Sequence, residues 1–156
     1  MKQLLQQCAI IVGLSATAAV ATYLIKPPPP AAPPIVCDPA ALASDEICLQ
    51  TVIEEWHNDC LWVDARRRVD WEKDGLPGSI LLTTADGENF DRLLEQAFPV
   101  LAEKQKRVVV YCNDVGCGTS REIAKRLRDY QLVPEVRALH GGWKALSQAG
   151  LITPRS

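Results

Sequence analysis

The stretch Arg107-Val108-Val109-Val110-Tyr111-Cys112-Asn113-Asp114-Val115-Gly116-Cys117-Gly118-Thr119-Ser120-Arg121 decides how this chain is read. Its first five residues are the strongest strand signal in the sequence: three consecutive valines, with charge before them and a glycine-containing loop after. Thr119-Ser120-Arg121-Glu122 has the form of a capping box, and Ile123, Ala124, Leu127 and Tyr130 then keep a helical period. The expectation is a buried strand, a loop and a capped helix. Cys112 leaves the strand at the point where loop and helix N–H groups can face a common centre and favour an anion. Such a field lowers a thiol pKa and enriches the nucleophilic thiolate. The plainer alternative is a buried, inert cysteine at a strand end. Cys112 is taken as a functional thiol, with Asn113, Asp114, Val115, Gly116, Gly118, Thr119, Ser120 and Arg121 as candidate substrate-binding residues.

Outward from this unit the same alternation continues. Leu49, Val52, Ile53 and Trp56 trace one helical face, and Leu61 to Ala65 is a short apolar run of strand type. Ser79 to Leu82 is another such run, introduced by the turn Leu76-Pro77-Gly78. Phe90, Leu93, Leu94, Ala97, Phe98 and Leu101 share a helical face in which Pro99 is expected to kink or divide the helix. Val136 to Leu139 reads as a last strand and Gly142 to Ala149 as a last helix. Strands alternating with helices imply a parallel sheet covered on both faces, with its site at the carboxyl ends of the strands.

The region from about Asp45 to Leu151 resembles a rhodanese-like domain. The matching pieces, in order, are Leu61-Trp62-Val63-Asp64-Ala65-Arg66, Gly75-Leu76-Pro77-Gly78-Ser79-Ile80 and Val108-Val109-Val110-Tyr111-Cys112. Ser120-Arg121-Glu122-Ile123-Ala124 with Leu127, and Leu139-His140-Gly141-Gly142-Trp143, complete the set. The resemblance implies an α/β fold with a five-stranded parallel sheet flanked by helices. It also implies sulfur transfer through a persulfide on Cys112, from a small sulfur-containing donor to a thiol acceptor. The sequence departs from the family in its loop: eight residues separate Cys112 from the first arginine, Arg121, and Asp114 adds a negative charge. A loop without arginine also argues against the phosphatases that share this fold, which clamp phosphate with a bidentate guanidinium.

Cys117 makes a Cys-x4-Cys arrangement within the loop, close enough for the two sulfurs to meet. It is read as a second catalytic thiol that resolves a persulfide on Cys112, with a structural disulfide as the plainer version. Cys37 and Cys48 would close a short loop at the start of the domain, and Cys60, just before a strand, is the candidate for an inert thiol. Asp64 and Arg66 look like a structural pair at a strand end, and the run Arg66-Arg67-Arg68 like solvated charge. No cofactor is implied. Only His57 and His140 are available beside the cysteines, so no metal site is expected.

The 156 residues suffice for one ordinary domain and carry 17 basic and 19 acidic groups. All the acids lie at or beyond Asp38, so nothing marks a nucleic-acid-binding surface. Before them, Cys8 to Ile25 is an uncharged, largely apolar run of 18 residues, within reach of the length that spans a membrane. Residues 1–26 are therefore read as a transmembrane anchor or a signal segment, with the uncleaved helix favoured because Tyr23-Leu24-Ile25 extend the run beyond Ala19-Val20-Ala21. Residues 27–36, with six prolines, form a semi-rigid linker, and residues 37–156 the rhodanese-like domain. Cysteine content and the charge flanking the apolar run place that domain on the periplasmic, extracytoplasmic side. Three functions stay open: a membrane-tethered sulfurtransferase, a thiol–disulfide redox protein, and a catalytically silent module that binds a protein partner.

Overall fold

The computed structural model describes residues 35–104, 106–113 and 118–152. Five parallel strands, β1 (Glu46–Ile47), β2 (Cys60–Asp64), β3 (Ile80–Leu81), β4 (Arg107–Tyr111) and β5 (Val136–Leu139), lie in the order β1-β5-β4-β2-β3. Helices α1 (Leu49–Glu54), α2 (Arg68–Asp74), α3 (Phe90–Lys104), α4 (Gly118–Asp129) and α5 (Gly142–Gln148) alternate with them. The parallel α/β architecture expected from the strand and helix periods is the one observed.

β4 is the centre of the sheet, paired over five residues with β2 on one side and over three with β5 on the other. Its side chains alternate between two apolar layers, as the two-residue period of a strand requires. Val108, Val110 and Cys112 join the layer formed with α3 and α4, through Leu93, Leu94, Leu101, Ile123 and Leu127. Val109 and Tyr111 join the opposite layer, with Val52 of α1 and Leu146 of α5. A strand buried on both faces is continuously apolar, which explains the valine run.

Three elements differ from the sequence expectation. α3 continues through Pro99 as one helix. Proline removes an N–H that would bond the carbonyl of Glu95, but both residues lie on the exposed side, where water can serve that carbonyl. The inward row Phe90, Leu93, Leu94, Ala97 and Leu101 holds the helix to the sheet across the gap. α4 is already helical at Gly118, so Thr119 lies inside it rather than capping it, and Ser120 is buried. Within the run Arg66-Arg67-Arg68, which leads into α2, Arg66 is buried while Arg67 stays exposed and Arg68 partly exposed, and each guanidinium has a carboxylate partner.

Cys37 and Cys48 are joined by a disulfide. Ahead of Cys37, the Ile35 N–H donates to Gln148 Oε1 at 2.9 Å. Gly141, in a left-handed conformation (φ +80°), leaves room for Ile35; a Cβ there would lie 2.8 Å from Ile35 Cγ2. Among the described residues no helix is long and apolar enough to cross a membrane. The Cys8–Ile25 run and the prolines 27–34 lie outside the described residues.

Candidate functional site at the sheet switch point

From β2 the chain moves outward to β3, returns across to β4 and then continues the other way to β5. The direction therefore reverses between β2 and β4, and open parallel sheets bind ligands outside the strand ends at such a reversal. A cavity of about 210 Å³ lies there, lined by Ala65–Arg67 after β2, Thr83–Ala85 after β3, and Cys112, Asn113 and Thr119.

Cys112 is 2% exposed, and its Sγ lies 3.3 Å from the Oγ of buried Ser120. The cysteine is disulfide-bonded in this structure. Its partner lies outside the described residues, because Cys37 pairs with Cys48 and Cys60 is free. Two backbone N–H groups of α5 hold the first residues of the loop: Trp143 N donates to the Cys112 carbonyl at 2.6 Å and Lys144 N to that of Asn113 at 3.3 Å. The opposite wall is fixed in a similar manner. Ala65 N donates to the Tyr111 carbonyl at 2.8 Å, while Thr83 Oγ1 donates to the Ala65 carbonyl at 3.0 Å and accepts from Ala85 N at 3.1 Å.

The structure thus brings Cys112, Asn113, Thr119 and Ser120 together at the carboxyl end of β4. Gly118 opens α4 next to them. Asp114, Val115, Gly116 and Cys117 lie outside the described residues. Arg121 is directed elsewhere: its Nη1 is 3.7 Å from Glu46 Oε1 on β1, and it does not line the cavity. Glu46 also faces His140, whose Nδ1 lies 3.9 Å from Oε2.

Sequence reading missed Thr83, Thr84, Ala85 and Arg67 as cavity residues. Thr83 lies two residues beyond β3, which the sequence shows as the run Ser79 to Leu82, but only the strand order brings the end of that strand to the cavity. Arg66 is the structural group expected from its place after Asp64. Its Nε and Nη2 donate to the Asp64 carboxylate at 2.9–3.1 Å, and Nη1 donates to Asp74 Oδ1 at 2.8 Å. The rings of Tyr111 and Trp143 lie 5.8 and 5.5 Å from its guanidinium carbon. Burial opposes the charge, but Asp64 and Asp74 more than offset it and raise the Arg66 pKa.

Tyr111 anchors the turn before β3 by accepting from Leu76 N at 2.9 Å and contacting Ser79 Oγ at 3.3 Å. Burial, with the nearby charge of Asp64, pushes its phenol well above the usual range, so it acts as a neutral hydrogen-bonding group. Cys60 is the contrast to Cys112: burial, assisted by Asp59, pushes its thiol up to about 11, which leaves it protonated near neutrality. Among the described residues no group of His, Cys, Asp or Glu is placed to hold a metal ion.

A parallel α/β sheet with a cysteine at its switch point defines the class of protein. The family profile described as "Rhodanese-like domain" matches residues 49–149. The chain belongs to the rhodanese-like domain family. Solved structures share the fold at low sequence identity. A full-length protein from Lactobacillus plantarum is 20% identical, with a TM-score of 0.54, over 72% of this chain and 89% of that one. The BH2092 protein of Bacillus halodurans gives 18% identity and a TM-score of 0.52, over 69% and 74% of the two chains. The N-terminal domain of a putative ATP/GTP binding protein from Clostridium difficile gives 19% and 0.50, over 68% and 98%. No curated protein matches the chain.

Proposed function

We propose that this domain is a sulfurtransferase that carries sulfane sulfur on Cys112. The observation that supports this most directly is the placement of Cys112 at the switch-point cavity, beside Ser120, in a chain of the rhodanese-like family. The reaction starts from reduced protein, so a thiol reductant first opens the disulfide that Cys112 makes here. The Cys112 thiolate attacks the outer sulfur of thiosulfate. The new S–S bond forms as the old one breaks, and sulfite leaves with the electron pair. Ser120 is placed to donate a hydrogen bond to the thiolate before attack. An acceptor thiolate then takes the outer sulfur of the protonated persulfide and regenerates the Cys112 thiolate.

In a variant of the second step, Cys117 attacks the inner sulfur of the Cys112 persulfide, expels hydrosulfide and closes a Cys112–Cys117 disulfide. The disulfide on Cys112 also favours a second reading, a thiol–disulfide redox protein that exchanges electrons with a partner dithiol. We further propose that residues 1–26 anchor the chain in a membrane with the domain outside the cytoplasm. The 18-residue uncharged run and the Cys37–Cys48 disulfide support that placement.

Mass spectrometry of the reduced full chain after exposure to thiosulfate or polysulfide tests the proposal. A gain of one sulfur on the Cys112 peptide, longer-lived in Cys117→Ser, is the expected result. No added sulfur from any donor, combined with reversible exchange of the Cys112 disulfide with a dithiol, would replace sulfur transfer by the redox reading. An inert disulfide and no added sulfur would leave a binding module.

A further inference from the structure

The loop after Cys112 supplies no arginine before Arg121, and Arg121 is turned to Glu46. A cysteine meant to meet an anionic sulfur donor still needs a positive charge at its cavity. Two arginine residues, Arg66 and Arg67, line that cavity from the β2 side. Arg66 is not available to a ligand: its side chain is 3% exposed, and its donors go to Asp64, Asp74 and the Asp70 carbonyl.

Arg67 differs in each respect. Its side chain is 70% exposed, and its bonds to Asp70 use only Nε and Nη2, at 2.9 and 3.3 Å. An arginine has five N–H donors, so Nη1 remains for a ligand while Asp70 holds the planar fork in place. The bond to Asp70 raises the Arg67 pKa, and the same contact holds the Asp70 carboxyl below its usual range. Nearby, Arg68 is taken up by Glu88, and both Asp64 and Asp74 by Arg66.

We propose that Arg67, steered by Asp70, is the specificity-determining cation of the Cys112 cavity and selects small donors that carry an oxyanion beside the sulfane sulfur. This rests on the sulfur-transfer reading, with thiosulfate as the representative of the class. Arg67 neutralises the sulfonate end of the donor as it enters and the sulfite as it leaves. A cavity of about 210 Å³ suits so small an anion, and Arg67 is among the residues that line it.

The test needs a readout that does not depend on sulfur transfer. Alkylation of Cys112 in the reduced full chain, followed on its own peptide, is measured with anionic iodoacetate and with neutral iodoacetamide. In Arg67→Gln the ratio of the two rates should fall about two- to fivefold, the effect of losing one solvent-exposed charge partner, and Arg67→Lys should restore part of it. The thiosulfate KM should rise by a similar factor in Arg67→Gln and in parallel with added salt in the parent chain. An unchanged ratio in Arg67→Gln overturns the assignment, even if the parent transfers sulfur well. A lowered ratio in a parent that takes no sulfur from any donor would keep Arg67 as the anion determinant and remove the sulfurtransferase reading instead.

Discussion

The ends of β2 and β4 face each other across one cavity and are built on opposite principles. At the end of β2 a buried guanidinium is held by two carboxylates and flanked by two aromatic rings. Among the described residues no buried side-chain nitrogen or oxygen lacks a hydrogen-bond partner. At the end of β4 the cysteine has a serine hydroxyl beside it and a backbone held by two α5 amides. The first wall is over-determined and therefore rigid. The second fixes the position of a sulfur that carries a disulfide.

The contrast can be broken most forcefully at Arg66. Arg66→Ala would leave Asp64, which is fully buried, without its cation, and should lower stability by about 3–5 kcal/mol in urea unfolding. Arg66→Lys should recover only part of this, because an ammonium cannot reproduce the two-pronged contact. Removing the Cys37–Cys48 bond, by reduction or by Cys37→Ser with Cys48→Ser, should cost about 3 kcal/mol for so short a loop. Tyr111→Phe leaves the Leu76 N–H without its acceptor and should cost about 1–3 kcal/mol, read in the same assay.

Effects on the β4 side should be small in stability and large in reactivity. Ser120→Ala should move the urea midpoint little. It should raise the pH at which reduced Cys112 alkylates at half its limiting rate, because a donor to the thiolate is lost. A Ser120→Ala chain with an unchanged alkylation profile would separate the serine from the chemistry. Cys60 should stay the slower thiol near neutral pH, with its rate rising only as pH approaches about 11. Comparable rates for Cys60 and Cys112 would remove the contrast between an inert and a functional cysteine.

The legible parts of this chain were those with a repeating physical signal. β2, β3, β4, β5 and the long helices announced themselves because strands of the sheet carry short, mainly apolar runs and a surface helix is apolar on one face only. β1 has two residues, too few to show a period, and its place at the sheet edge rests on pairing with β5. α2 was hidden by its charges: Arg67 to Asp74 is mostly polar, and its orientation comes from ion pairs that join distant positions, such as Arg68 with Glu88. Cys112 could be picked out because strand, loop and helix follow one another in sequence. Thr83 and Arg67 could not, because they reach the cavity only through the spatial order of the strands, which places β2 and β3 beside β4.

The Cys37–Cys48 bond also settles how the domain bears tension. A pull on the chain ahead of Ile35 would, without the bond, run through residues 38–47 and peel away β1, a strand paired over two residues at the edge of the sheet. With the bond closed, the load crosses from Cys37 to Cys48 through a covalent link and enters at α1, leaving β1 slack. Force spectroscopy on the full chain should therefore show early yielding, with a short gain in length, only after reduction. The oxidised domain is a weight hung from a closed shackle, with its most fragile strand outside the line of force.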